Sequence, residues 1–152
     1  MIRRLIKFIT SVCYAGYSPV VPGTIGSLAG LIIYFLVRNN VVLYAFSILF
    51  LFSLGIIFSA EAENIFRKKD AEAIVIDEAC GMLLALFLVP FRTVLVIAGF
   101  LLFRFFDVIK PPPARALEKI VGSWGIMLDD ILAAVYTNVI LQILSRSIPG
   151  LR

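Results

Sequence analysis

The chain has 152 residues, 61% of them hydrophobic and 16% charged, with a mean hydropathy of +1.02 and a formal net charge of +4. A soluble domain carries about a quarter of its residues as charges, so a single core in water is excluded and a membrane-embedded chain is expected. Segments in lipid must satisfy their own backbone hydrogen bonds, so the expectation is all-α, a polytopic helical bundle forming one domain over residues 1–152.

The first residues imitate a secretory signal, with Arg3 and Arg4 ahead of an apolar run, but Lys7 interrupts that run. Leu5, Phe8, Ile9 and Val12 fall at i, i+3, i+4 and i+7, with Arg3, Arg4, Lys7 and Thr10 off the stripe. This spacing predicts a retained amphipathic helix lying in the interface. Next comes SPVVPGTIGSLAG, Ser18 to Gly30, which opens an apolar helix over Gly26 to Val37. Thr24 is the expected cap, leaving backbone N–H groups open to a phosphate, and Gly26, Ser27, Ala29 and Gly30 form a small face for close helix packing.

Val41 to Ala60 runs twenty residues without a charge, the length needed to cross about 30 Å of hydrocarbon. Ile74 to Phe91 and Thr93 to Phe106 are shorter or interrupted, and Ile126 to Ser147 carries Asp129 and Asp130 in its first turn. About five membrane-embedded helices are expected in addition to the interfacial one.

If these segments alternate across the membrane, Arg3, Arg4, Lys7, Arg67, Lys68, Lys69, Arg104, Lys110, Arg115 and Lys119 share one side. Arg38, Arg92, Arg146 and Arg152 hold the other. Ten against four places the first side in the cytoplasm. The positive charge then suits anionic phospholipid at the membrane surface, and no nucleic acid is needed to explain it.

On this topology the loop before Gly26, Asp77 with Glu78, Asp107, and Asp129 with Asp130 all fall at the cytoplasmic boundary. Carboxylates near hydrocarbon are costly, about 3 kcal/mol each at the bilayer centre, so five at one level point to a site. Helix ends are also where charge is cheapest, and the clustering on one side is what argues against simple tolerance. The oxygen-rich set suits a hard divalent cation such as Mg²⁺. The chain has no His and two Cys, which disfavours zinc and haem. Within each acidic pair the side chains diverge by about 100°, so one can bind metal while the other orients it.

Arg104, Asp107 and Lys110, spaced i, i+3, i+6, come near one face if the helix continues to Pro111. They make a plausible phosphate clamp, with an ordinary ion pair at a helix end as the competing explanation. Arg115 is a further basic candidate, with lipid headgroup contact as its simpler role. Without His there is no phosphohistidine route, and neither Cys13 nor Cys80 is followed by the Arg a cysteine phosphatase loop requires.

Together SPVVPGTIGSLAG, IVIDEACG at Ile74 to Gly81, FRFFDVIKPPP at Phe103 to Pro113 and GIMLDDILAAVY at Gly125 to Tyr136 resemble the phosphatidylglycerophosphatase A family, in order and spacing, over nearly the whole chain. The resemblance implies a polytopic enzyme of the bacterial cytoplasmic membrane, its site facing the cytoplasm, that hydrolyses the terminal phosphate of phosphatidylglycerophosphate with Mg²⁺. The family's acidic positions fall on Asp77, Glu78, Asp107, Asp129 and Asp130, and its basic position on Lys110. Gly122 with Ser123, and Ala133 with Ala134, depart from the family's small-residue steps. The expected metal ligands are these five acids, with Asp77, Asp107, Asp129 and Asp130 catalytic and Thr24, Ser27, Arg104, Lys110 and Arg115 binding substrate. A small cation transporter or channel subunit using the same carboxylates is the alternative.

Overall fold

The structure, a computed structural model, describes residues 1–69, 71–117, 120, 122–148 and 150. Those residues form α1 (Ile2–Thr10), α2 (Pro22–Val37), α3 (Val41–Phe66), α4 (Ile76–Ala85), α5 (Thr93–Ile109), α6 (Ala114–Leu117) and α7 (Ser123–Ser147). The described residues contain no strand, as the backbone argument requires. Lys119 and Arg152, counted in the charge asymmetry, lie outside them.

Helix α3 begins where Asn40 caps it, Oδ1 accepting from the backbone N–H groups of Val42 and Leu43 at 3.1 Å. It continues past Ala60 through the helix-forming run AEAENIF and stops where Arg67 turns left-handed, with φ 56°. Both α3 and α7 are long and apolar enough to cross a membrane. Only 11% of the apolar window of α3 is covered by protein, so Phe46, Leu49, Phe50 and Ile57 present an apolar wall outward. Such a wall belongs against lipid.

Helix α4 is the innermost element, with eight of its ten residues buried. It is shorter than the segment Ile74 to Phe91 expected from sequence, for two local reasons. Leu88 takes φ 58°, and Pro90 disfavours a helical Val89. The carbonyls thus released are satisfied by side chains. Asn138 Nδ2 donates to the carbonyls of Leu84, Ala85 and Phe87 at 3.3, 3.1 and 2.8 Å, Gln142 Nε2 to Leu88 at 3.0 Å, and the Tyr44 hydroxyl to Leu83 at 2.7 Å. A helix can therefore end inside the bundle without stranding polar backbone.

The small face of α2 lies on α4. A Cβ at Gly26 would collide with Val75, and one at Gly30 would sit 3.0 Å from Ala79 Cα and Met82 Cβ. Gly55 admits Met127 where α3 crosses α7, and Phe103 of α5 fills the space over Gly81. These close crossings bring the starts of α2, α4 and α7 and the end of α5 to one end of the bundle.

Helix α1 turns Ile6 and Thr10 inward and Leu5 and Phe8 outward. Val12, expected on the apolar stripe, lies beyond the last helical turn with φ 47°. The inward edge is tied down where Val75 N–H donates to the Thr10 carbonyl at 2.9 Å.

Candidate active site

Asp77 and Glu78 stand in the first turn of α4, Arg104 and Asp107 in the last turns of α5, Lys110 just past its end, and Asp129 and Asp130 in the second turn of α7. All seven line one cavity of about 280 Å³, together with Pro22, Gly23 and the wall from Ala71 to Ile74. Asp77, Asp129 and Asp130 are 7%, 7% and 3% exposed. Buried carboxylates this close repel one another unless positive charge is supplied.

Two cations supply part of it. Arg104 Nη1 stands 2.6 Å from Asp107 Oδ2 on the same helix, and Lys110 Nζ 2.7 Å from Asp129 Oδ2 on α7. The sequence placed Lys110 beside Asp107 on a continuing helix. Instead α5 ends at Ile109, and Lys110 adopts a left-handed conformation, φ 48°, that carries its ammonium to α7. Arg104 Nη1 also donates to Ser27 Oγ at 3.4 Å, and Ser27 Oγ donates to the Gly23 carbonyl at 3.0 Å. Each acidic pair uses its first member in the same way. Asp77 Oδ1 accepts from Glu78 N–H at 3.0 Å and Asp129 Oδ1 from Asp130 N–H at 3.1 Å. At the cavity edge, a hydrogen bond from Lys68 holds the exposed Glu72 carboxyl below its ordinary range.

The remaining acids are arranged differently. Oxygens of Asp77, Glu78 and Asp130 lie within 4.8 Å of one another, and Glu78 Oε2 and Asp130 Oδ2 are buried with no hydrogen-bond partner among the described residues. Orphaned carboxylate oxygens in a cluster are costly as they stand. Opposite ligands of a hard divalent ion are about 4 to 5 Å apart, so this donor set fits such an ion in size and in chemistry.

Two expected binding residues are placed elsewhere. Thr24 does not cap α2: Val21 does, in a left-handed conformation with φ 44°, and the Thr24 N–H is spent on the Val21 carbonyl at 3.0 Å. Pro22 at the first helical position forces the start one turn earlier than Thr24 would. Arg115 is exposed and folds back to donate to the Ile109 carbonyl at 3.2 Å, outside the cavity. This satisfies a carbonyl left over at the end of α5. Ser27 is buried beneath Arg104, behind the cavity wall.

Sequence reasoning missed Gly23 as a site residue. A Cβ there would collide with Glu78 Oε1 and sit 3.0 Å from Arg104 Nη2. The Pro-Gly step was visible, but read only as a helix start. The transporter alternative gains no support, since the charged cavity residues gather at one end of the bundle.

Residues 8–145 match the family model of phosphatidylglycerophosphatase A. A Haemophilus influenzae protein named phosphatidylglycerophosphatase A is 36% identical over 78% of this chain and 76% of its own length. One of the same name from Escherichia coli K12 is 35% identical over 89% and 80%. A Bacteroides thetaiotaomicron protein named "Putative phosphatidylinositol-3-phosphatase" is 36% identical over 85% and 86%. No solved structure matches the chain. A match over most of its length, covering every segment that builds the cavity, shows that the chain belongs to the phosphatidylglycerophosphatase A family.

Proposed function

We propose that this protein hydrolyses the terminal phosphate monoester of phosphatidylglycerophosphate, yielding phosphatidylglycerol and inorganic phosphate, in a reaction that requires Mg²⁺. Beyond family membership, one observation carries the reading. Two buried, unpartnered carboxylate oxygens face a cavity that also holds Arg104 and Lys110. Acids alone would suit a cation site, and cations alone an anion site. Together they suit a phosphate held against a metal.

Asp77, Glu78 and Asp130 would hold the ion. Bound there, it supplies Lewis-acid polarisation of the phosphate and neutralises charge developing on its oxygens. Arg104 and Lys110 donate to the phosphate oxygens, and their pairing with Asp107 and Asp129 keeps both side chains extended into the cavity. Water attacks phosphorus while the bond to the glycerol oxygen breaks. Asp129, oriented by Lys110, takes the proton from the attacking water, and the departing glycerol oxygen takes up a proton from solvent water. Asp129 also lines a neighbouring cavity of about 180 Å³ with Glu63, Lys69 and Gly125, which gives the rest of the headgroup a place to lie.

In this reading α2, α4 and α5 are embedded beside α3 and α7, giving the five membrane segments. α1 lies in the interface with Leu5 and Phe8 toward the acyl chains. The cavity faces the cytoplasm of a bacterial cytoplasmic membrane, on the side richer in Lys and Arg.

The test is phosphate release by purified protein from phosphatidylglycerophosphate and from phosphatidylinositol 3-phosphate in mixed micelles, with Mg²⁺ or with EDTA. Release from the first lipid that needs Mg²⁺ and Asp130 supports the proposal. Preference for the inositol lipid, or release that persists in EDTA, overturns it.

A further inference from the structure

A separate cavity, of about 230 Å³, lies at the other end of the bundle, where α2 ends, α3 begins and α4 gives way to its loop. Gly23 and Arg38 are fifteen residues apart along α2, so about 22 Å of helix separates it from the carboxylates. Its lining includes Tyr34, Arg38, Asn39, Tyr44 and Phe91. We propose that this cavity binds the phosphate of an anionic phospholipid in the leaflet opposite the catalytic site, with Arg38 as its principal contact.

Arg38 is preorganised and unneutralised. Its guanidinium carbon stands 3.9 Å over the centre of the Phe91 ring, which holds the group at the cavity, and it has no ion pair or hydrogen bond through its side chain among the described residues. Such a guanidinium, left facing a cavity, is matched by the paired oxygens of a phosphate. A second observation is independent of the first. Tyr34 lines the same cavity, is 3% exposed, and its hydroxyl has no hydrogen-bond partner among the described residues. The neighbouring Tyr44 hydroxyl, by contrast, is committed to Leu83.

The charge pattern selects the lipid class. Residues 1–60, 79–106 and 131–152 contain no Asp or Glu, and every residue lining this cavity comes from the first two of these stretches. A choline or ethanolamine headgroup would bring a cation that finds no carboxylate, and Arg38 already covers Phe91. An anionic headgroup meets no such conflict. The rim is also continuous with exposed apolar side chains, Phe35, Val41 and Leu88, along which acyl chains can run while the phosphate sits inside.

This inference does not depend on the phosphatase reading, and its test uses unfolding rather than turnover. Full-length protein would be placed in phosphatidylcholine nanodiscs with and without phosphatidylglycerol, and in phosphatidylcholine with inorganic phosphate added. The expected result is a Tm raised by several degrees by phosphatidylglycerol, with any shift from inorganic phosphate the same in wild type and Arg38→Gln. Most of the phosphatidylglycerol increment should vanish in Arg38→Gln and shrink in Tyr34→Phe, with activity in detergent micelles unchanged. Should Arg38→Gln not fold, Arg38→Lys, which keeps the charge and loses the planar fork, takes its place. Equal increments in wild type and variants overturn the proposal. So does a shift from inorganic phosphate that Arg38→Gln abolishes, which would make the cavity a site for free anions.

Discussion

The ammonium of Lys110 lies 2.7 Å from Asp129 Oδ2, joining the residue that ends α5 to the second turn of α7 across nineteen positions of sequence. It places a cation in the cavity beside one of the buried carboxylates. Removing one partner of such a pair leaves an uncompensated charge, which costs about 3 kcal/mol or more. Lys110→Met should therefore lower both stability and turnover. The double variant Lys110→Met, Asp129→Asn should regain most of the stability and none of the turnover. Thermal unfolding of the four proteins in detergent, beside phosphate release, checks both.

Asp130 Oδ2 and Glu78 Oε2 are buried with no hydrogen-bond partner among the described residues, so under the proposed metal reading the two acids cost stability when no cation is bound. In EDTA, Asp130→Asn should unfold at a higher temperature than wild type. In saturating Mg²⁺ the order should reverse, because a ligand at a hundred times its Kd stabilises by about 2.7 kcal/mol and the variant loses that gain. A Tm titration with Mg²⁺ reads this without any turnover. The same order in both conditions would remove Asp130 from the metal site.

Gly23 leaves the room that Glu78 and Arg104 occupy. Gly23→Ala should fold, since position 23 stands in the first turn of α2, yet displace both side chains and reduce kcat/KM by about tenfold to a hundredfold. Wild-type kinetics would show that the two side chains can shift at no cost to the reaction.

Asn138 holds three carbonyls at the end of α4. Leu in its place removes the side-chain donor from all three and leaves the Leu84 carbonyl only its backbone donors, with an expected loss of about 2 to 3 kcal/mol and little change in turnover at low temperature. Unfolding in detergent, compared with activity well below Tm, separates the two effects. Activity lost in proportion at every temperature would mean that α4 had shifted at its far end, where Asp77 and Glu78 stand.

The sequence by itself determined the solvent, the helical class and the end of the molecule where chemistry gathers. Long uncharged runs such as Val41 to Ala60 and the confinement of every acid to a few boundary segments are one-dimensional facts, set by the cost of charge and of unpaired backbone in hydrocarbon. The helix starts at Val41 and Thr93 were legible too, because local signals decide them. Tertiary structure decided the partnerships. Lys110 pairs with Asp129 because α5 ends in a left-handed residue whose conformation no spacing rule contains. Helix α4 can stop at Ala85 inside the bundle because Asn138, more than fifty residues away, donates to the Ala85 carbonyl. Arg115 and Thr24 looked like phosphate ligands, but neighbouring carbonyls claimed the Arg115 guanidinium and the Thr24 N–H. Which carboxylates are neutralised and which stay orphaned is a matter of distances between helices, and only packing sets those.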